Sequence, residues 1–352
     1  MVSQQPVPSG ELVPQLTRGV IFPLLGGRST WGREHLLPIF ATVCVALALM
    51  VLIPAPNATA AEELSQAWVV FYTLAVYIAF LVTYYVNGMC GWPKRLWVLA
   101  VVGLATALIL DTRFWSLWAG FFYDVIPGDA WEKSSNVVAQ LAGYWFGTGL
   151  CEEGFKALPL IGFALLGAGL GSMSRHTHGR ASRIWGGIRK HIGLCGPRDG
   201  IVMGVASGAG FFIRETLGQY VPKMMGDFKY AGSQAFHGLL LLLGRGLPDL
   251  TGHSAWSGLF GYFIGLSVLR PKMAIYLLPL GWLSAAALHG AWDATGNIVT
   301  NPYAQLAIWL ILALFGYGLL GGVIFKANDV FGPQPLRPAT ATAALGADDD
   351  SG

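Results

Sequence analysis

The chain has 352 residues, 54% of them hydrophobic and only 12% charged, with 22 Lys and Arg against 19 Asp and Glu for a net charge of +3. Soluble domains carry about 25% charged residues, so this composition excludes an ordinary soluble globular protein. The small net charge excludes nucleic acid as a partner. An all-α, polytopic membrane protein embedded in the lipid bilayer remains.

Residues 1–35 read as a flexible cytoplasmic arm carrying Arg18, Arg28 and Arg33. They contain no apolar core followed by a small-residue cleavage site, so no removable signal peptide is expected. The first span is expected over about 36–53, ending at Pro54, and the second over about 66–86. The loop between them holds Glu62 and Glu63 but no Lys or Arg, and the tight turn after the second carries Lys94 and Arg95. This alternation places the N-terminus inside. A third span begins near Leu96, meets Asp111 and Arg113, and continues as an aromatic segment from Phe114 to Tyr123 that is expected at the outer interface.

A fourth helix over about 137–171 exceeds the roughly 20 residues that a span needs, and Pro159 with its glycines is expected to bend it. The segment 172–198 is the most basic of the chain and is expected in the cytoplasm. A fifth span over about 199–218 carries the small-residue stripe Gly200, Gly204 and Gly208, a pattern that lets membrane helices approach closely. In the connection 219–250 the apolar piece around Leu239–Leu243 is too short to cross and reads as re-entrant or interfacial. Further spans over about 252–269, 273–299 and 303–325 bring the expectation to about eight, within a range of about seven to nine. Both termini then lie in the cytoplasm, with the protein in the cell membrane.

Five regions follow: the arm 1–35, N-terminal transmembrane helices 36–133, a catalytic helical core 134–300, a last transmembrane helix 301–325 and a disordered tail 326–352 rich in Pro, Ala, Thr and Asp. Cys44, Cys90, Cys151 and Cys195 show no C-x-x-C spacing and are expected as free thiols.

Polar residues inside the apolar spans carry the chemistry. Glu152, Glu153 and Lys156 interrupt the run 137–171, where a charge at the bilayer centre costs roughly 2.5–3.5 kcal/mol. Glu152 and Glu153 reach Lys156 at i+4 and i+3, so one helix can neutralise part of that burial. Three further groups follow: Arg214 with Glu215, then His253, then His289 with Asp293 one turn later. Counted from the expected helix ends at 1.5 Å per residue, all lie between mid-membrane and the outer surface. Independent structural ion pairs have no reason to share a level, so one site is expected. A carboxylate among apolar walls gains basicity and suits a general base, a role expected of Glu152 with Glu153 in support. Glu215, His253 and His289 form the expected metal-facing or oxyanion-facing set, with Asp293 orienting the His289 ring.

These residues resemble the PrsW family of intramembrane proteases, which is related to the CAAX-type prenyl endopeptidases and bacteriocin-processing proteins. The EExxK motif is met by Glu152, Glu153 and Lys156, and FxxxE by Phe211 and Glu215. Arg245, His253 and Gly261 meet a third pattern, and His289 and Asp293 meet HxxxD. The resemblance spans most of 149–297. It implies a metallopeptidase with a divalent metal such as zinc, cutting a single-pass membrane protein such as an anti-sigma factor in its outer part. Buried Glu and His also mark ion relays, so a proton- or ion-coupled carrier stands as one alternative and an inactive PrsW-like binding or scaffold protein as the other.

Overall fold

Helix is the regular structure of every element among the described residues, as required where a lipid surround offers backbone N–H and C=O groups no water. The computed structural model describes residues 33–51, 59–216, 218 and 235–331. The chain divides into two units, Met1–Ile53 and Pro54–Gly352. The first holds α1 (Arg33–Val51), in which the Thr42 hydroxyl donates to the Pro38 carbonyl at 2.7 Å.

The second unit opens with α2 (Ala60–Met89), started by a capping box in which Thr59 and Glu62 satisfy each other's backbone N–H. A tight turn with Gly91 at φ 75° leads into α3 (Leu96–Ile109). Next come α4 (Arg113–Gly120), continued by a π turn over Phe121–Val125, and the short α5 (Gly128–Glu132). Asn136 caps α6 (Val137–Tyr144), which passes through a second π turn, Trp145–Leu150, into α7 (Cys151–His176). The remaining helices are α8 (Gly179–Ile192), α9 (Pro197–Glu215), α10 (Ala235–Leu269), α11 (Ala274–Ile298) and α12 (Pro302–Phe331).

The protein is a multi-pass membrane protein, but the expectation of about eight spans, and of at least seven, is corrected. Among the described residues four helical stretches are long and apolar enough to cross: Trp68–Met89, Val137–His176, Pro271–Ile298 and Tyr303–Phe331. A fifth is added if α3 and the α4 stretch, which meet at 71°, are one broken span. The apolar part of α1, Leu36–Ala48, is too short to qualify. Two other expected spans fail because α9 and the described part of α10 are buried among neighbouring helices and carry glycine, serine and charged or imidazole groups there.

Gly200, Gly204 and Gly208 of α9 are the contact stripe, since a methyl on them would overlap the backbone carbonyls of Gly261, Ser257 and His253 respectively. The expected small-residue face is therefore a line of direct backbone contact between α9 and α10. Around it lie Ile201, Val202, Met203 and Val205 of α9, Val98 and Leu99 of α3, and Trp256 of α10.

Other expectations shift. The fourth span also carries a π turn at Trp145–Leu150, with Pro159 further along within α7. Leu239–Leu243 is not a separate short piece, because α10 runs continuously from Ala235 to Leu269. The basic segment contains α8, a helix rather than a bare loop. Lys94, of the tight turn, is buried at the foot of α3, 3.0 Å from Asp199 and donating to the carbonyls of Lys190 and Gly193. The arm up to residue 32, the connection 219–234 and the tail beyond 331 lie outside the described residues, and α12 continues past the expected end at 325. All four cysteines are free.

Candidate active site

The π turn Trp145–Leu150 delivers Glu152 and Glu153 to the first turn of α7. A π turn disrupts the regular hydrogen-bond ladder, and such turns recur at functional sites. Here indole donors meet the carbonyls beside it: Trp282 Nε1 reaches Leu150 O at 2.9 Å and Trp118 Nε1 reaches Cys151 O at 2.8 Å. Glycines then set the partners. Gly149 rests on the Ala286 carbonyl, and a methyl on Gly290 would come within 2.9 Å of the Trp145 backbone, so α11 carries His289 against α7. Gly208 on the His253 carbonyl does the same for α10.

Glu153 is fully engaged. Its Oε1 lies 2.8 Å from Lys156 Nζ and 3.0 Å from His289 Nδ1, and its Oε2 accepts from the Ser257 hydroxyl at 2.9 Å. Glu152 is not. Its Oε2 lies 3.5 Å from both Lys156 Nζ and His289 Nε2, buried and with no hydrogen-bond partner. His289 Nε2 also stands 3.4 Å from Asp293 Oδ2. His253 is held at both ends, Nδ1 2.7 Å from Lys156 Nζ and Nε2 3.4 Å from Glu215 Oε2. The two imidazoles meet edge to face at 4.8 Å, Trp256 stacks on His289, and Lys156 Nζ sits 4.2 Å over the Phe211 ring.

All seven residues expected at the site are thus linked by contacts. The grouping within them differs from expectation. The donor atoms that lie within 4.8 Å of one another belong to Glu152, His253 and His289, all buried, an arrangement capable of coordinating a metal ion. Glu215 borders this group through His253 and lines a polar cavity of about 300 Å³ together with Glu152, Tyr123, Thr148, Phe211 and Arg214. Arg214 turns away to pair with Asp111 at the end of α3. Gly261 serves packing, through Gly200, and the Arg245 side chain lies outside the described residues. A larger apolar hollow of about 430 Å³ lies beside Trp118 and Trp282 and shares no lining residue with the polar cavity.

Sequence reasoning did not find the bond from Ser257 to Glu153, the Asp111–Arg214 pair, or Tyr123 on the cavity wall. The first two join residues about a hundred positions apart, and no local spacing signals them. Tyr123 has the composition of an interfacial aromatic, and only the π turn that carries it brings it to the cavity.

A model of PrsW family intramembrane metalloproteases matches residues 93–320, a range that contains every residue of the site. No curated protein and no solved structure matches the chain. The match covers more than half of the chain and takes in both the donor group and the helices that assemble it, and on that ground the chain belongs to the PrsW family of intramembrane metalloproteases.

Proposed function

We propose that the protein is an intramembrane endopeptidase that hydrolyses a peptide bond of a single-pass membrane protein, such as an anti-sigma factor, near the outer membrane surface. The observation that carries this reading is the Glu152 Oε2 atom, buried without a hydrogen-bond partner beside two histidines. An unpartnered carboxylate oxygen out of water is costly, and four carboxylates, Glu152, Glu153, Glu215 and Asp293, share the site with one ammonium, Lys156. The donor set fits a divalent cation. Glu152, His253 and His289 would hold one such as zinc, which would supply Lewis acidity and lower the pKa of a bound water.

The chain's own residues then divide the work. Glu152 serves as a ligand, and Glu215, partly exposed in the cavity, takes the proton of the attacking water and returns it to the departing amide nitrogen. Glu153, fixed by Lys156 and Ser257, holds the His289 ring from its Nδ1 side, and Asp293 brackets it from the other. Cleavage near the outer surface follows from depth. Glu152 lies about 36 Å along the helix from the basic end of its span at His176, and His289 about 27 Å from the Arg270 and Lys272 end of its own. The hydrocarbon core is about 30 Å thick, and basic ends face the cytoplasm.

One contact favours a second, metal-free reading. Lys156 Nζ has only protons to offer, so at 2.7 Å it bonds the Nδ1 lone pair of His253 and sends the ring proton to Nε2, opposite Glu215. In that state His253 has no lone pair for a cation. Glu152 then acts as the base, and the histidine N–H groups face the oxyanion. Zinc content and cleavage of quenched-fluorescent single-pass peptides by the full chain in detergent separate the readings. The metal reading predicts one zinc per chain, lost with activity in Glu152→Gln and retained without activity in Glu215→Gln. A zinc-free wild type that cleaves in the presence of chelator selects the second reading, and a wild type that cleaves nothing under either condition defeats both.

A further inference from the structure

Tyr123 is the residue of the cavity wall that neither the motifs nor the proposed mechanism uses. It sits in the π turn that ends α4, facing the π turn that precedes Glu152, and its ring rests on the α-carbon of Gly147: a methyl there would come within 2.8 Å of Tyr123 Cε1. The cavity it lines also holds Glu152 and Glu215. Of the two hydroxyls on that wall, Thr148 donates to the Tyr144 carbonyl at 2.7 Å, while the Tyr123 hydroxyl has no hydrogen-bond partner among the described residues. Arg214, the cation on the same wall, is engaged by Asp111. Tyr123 is therefore a neutral donor on the wall of the cavity that Glu152 and Glu215 also line.

We propose that Tyr123 is a catalytic residue whose hydroxyl donates a hydrogen bond to the oxyanion formed during peptide hydrolysis, an inference that rests on the proteolytic reading above. In the first step the water oxygen bonds to the scissile carbonyl carbon, a carboxylate of the site takes the water proton, and the carbonyl π pair moves onto oxygen. Tyr123 donates to that oxygen and keeps its own proton. In the second step the oxygen pair re-forms the double bond, the C–N bond breaks, and the carboxylic acid returns its proton to the amine. A donor held still and aimed at developing charge strengthens as the charge grows, so its effect falls on kcat. The assignment holds whether Glu152 or Glu215 takes the water proton, since both face this cavity.

The test is Tyr123→Phe, which removes one oxygen atom and leaves the ring on Gly147. With the zinc-loaded full chain and quenched-fluorescent single-pass peptides, kcat should fall on the order of 100-fold while KM stays within about twofold. Zinc content should not change. A peptide carrying a phosphinic group at the cleaved position mimics the tetrahedral state, and its affinity should weaken by a similar factor, whereas an uncleaved parent peptide binds Glu215→Gln equally with and without Tyr123→Phe. Wild-type kcat in Tyr123→Phe, or equal weakening of both peptides, overturns the role and leaves the proteolytic reading standing. Failure of the wild type to cleave removes that reading and this inference with it.

Discussion

Glu152 and Glu153 are neighbours in sequence and opposites in circumstance, and the contrast shows what each is suited to do. Glu153 accepts hydrogen bonds from Lys156 and Ser257, one on each oxygen, whereas Glu152 keeps one oxygen without a hydrogen bond. Removing one partner of a buried charge pair costs about 3–5 kcal/mol, because the survivor is left uncompensated. Lys156→Met should therefore lower the thermal midpoint of the detergent-solubilised protein strongly. Ser257→Ala removes one hydrogen bond to the same carboxylate and should cost about 1.5–3 kcal/mol. Equal stability of Lys156→Met and wild type would mean that the pair does not hold the fold. The pairing of Lys156 with both carboxylates was legible from the i+3 and i+4 spacing, since one helix carries all three groups. Which carboxylate is saturated was not, because the deciding hydroxyl of Ser257 comes from another helix. Arg214 illustrates the same limit: its place next to Glu215 says nothing of Asp111, its partner across the bundle.

At the scale of elements, backbone contact through glycine sets the geometry of the site. Gly208→Ala would press a methyl into the His253 carbonyl, and overpacking of this kind costs about 1–3 kcal/mol. It should also lower activity by shifting His253, which a circular-dichroism melt and a cleavage assay read separately. Gly162→Ala meets nothing within 4 Å and serves as the neutral control. The short helix α5 offers a pH test. Its Glu132 lies beside Gly147, and burial, followed by the charges of Asp293 and Asp129, pushes its carboxyl up from 4.5 to about 7. The folded state then binds this proton more tightly than the unfolded state, so stability is lost as pH rises from about 4.5 through about 7. Glu132→Gln should raise stability by about 1–2 kcal/mol at pH 8, after discounting for its solvent-facing part, and by nothing near pH 4. An equal gain at both pH values would contradict the assignment. The glycine stripe was legible because its period matches a helix face. The π turn at Trp145–Leu150 was not, because the indoles of Trp118 and Trp282 that meet the carbonyls beside it come from distant sequence positions.

For the whole molecule, hydropathy identified the membrane class and four of the long helices but overcounted the spans. Helices α9 and α10, which bring Glu215 and His253 to the site, face each other through glycine, serine and histidine and are not apolar enough among the described residues to count as spans, whereas the stretches that bring Glu152 and His289 are. The four polar groups were expected at one level from residue counting, and contacts join them. Orientation is a proposal with its own test. The segment 126–136, which contains α5, and helix α8 flank opposite ends of the 40-residue stretch Val137–His176. With the native thiols replaced, a cysteine at Ser135 should react with an impermeant thiol reagent added to intact cells, and a cysteine at Ala181 should be protected. The reverse pattern would place the site on the cytoplasmic side. A carrier would change a solute gradient and leave peptides whole, so the central claim reduces to whether water is added across a peptide bond. Incubation of the zinc-loaded full chain with a single-pass peptide in heavy-oxygen water, read by mass spectrometry, measures this directly. The account predicts a cut peptide whose new carboxyl end carries one heavy oxygen, formed by wild type and not by Glu215→Gln or Glu152→Gln. Intact peptide with wild type, or the same labelled product from both variants, would contradict it.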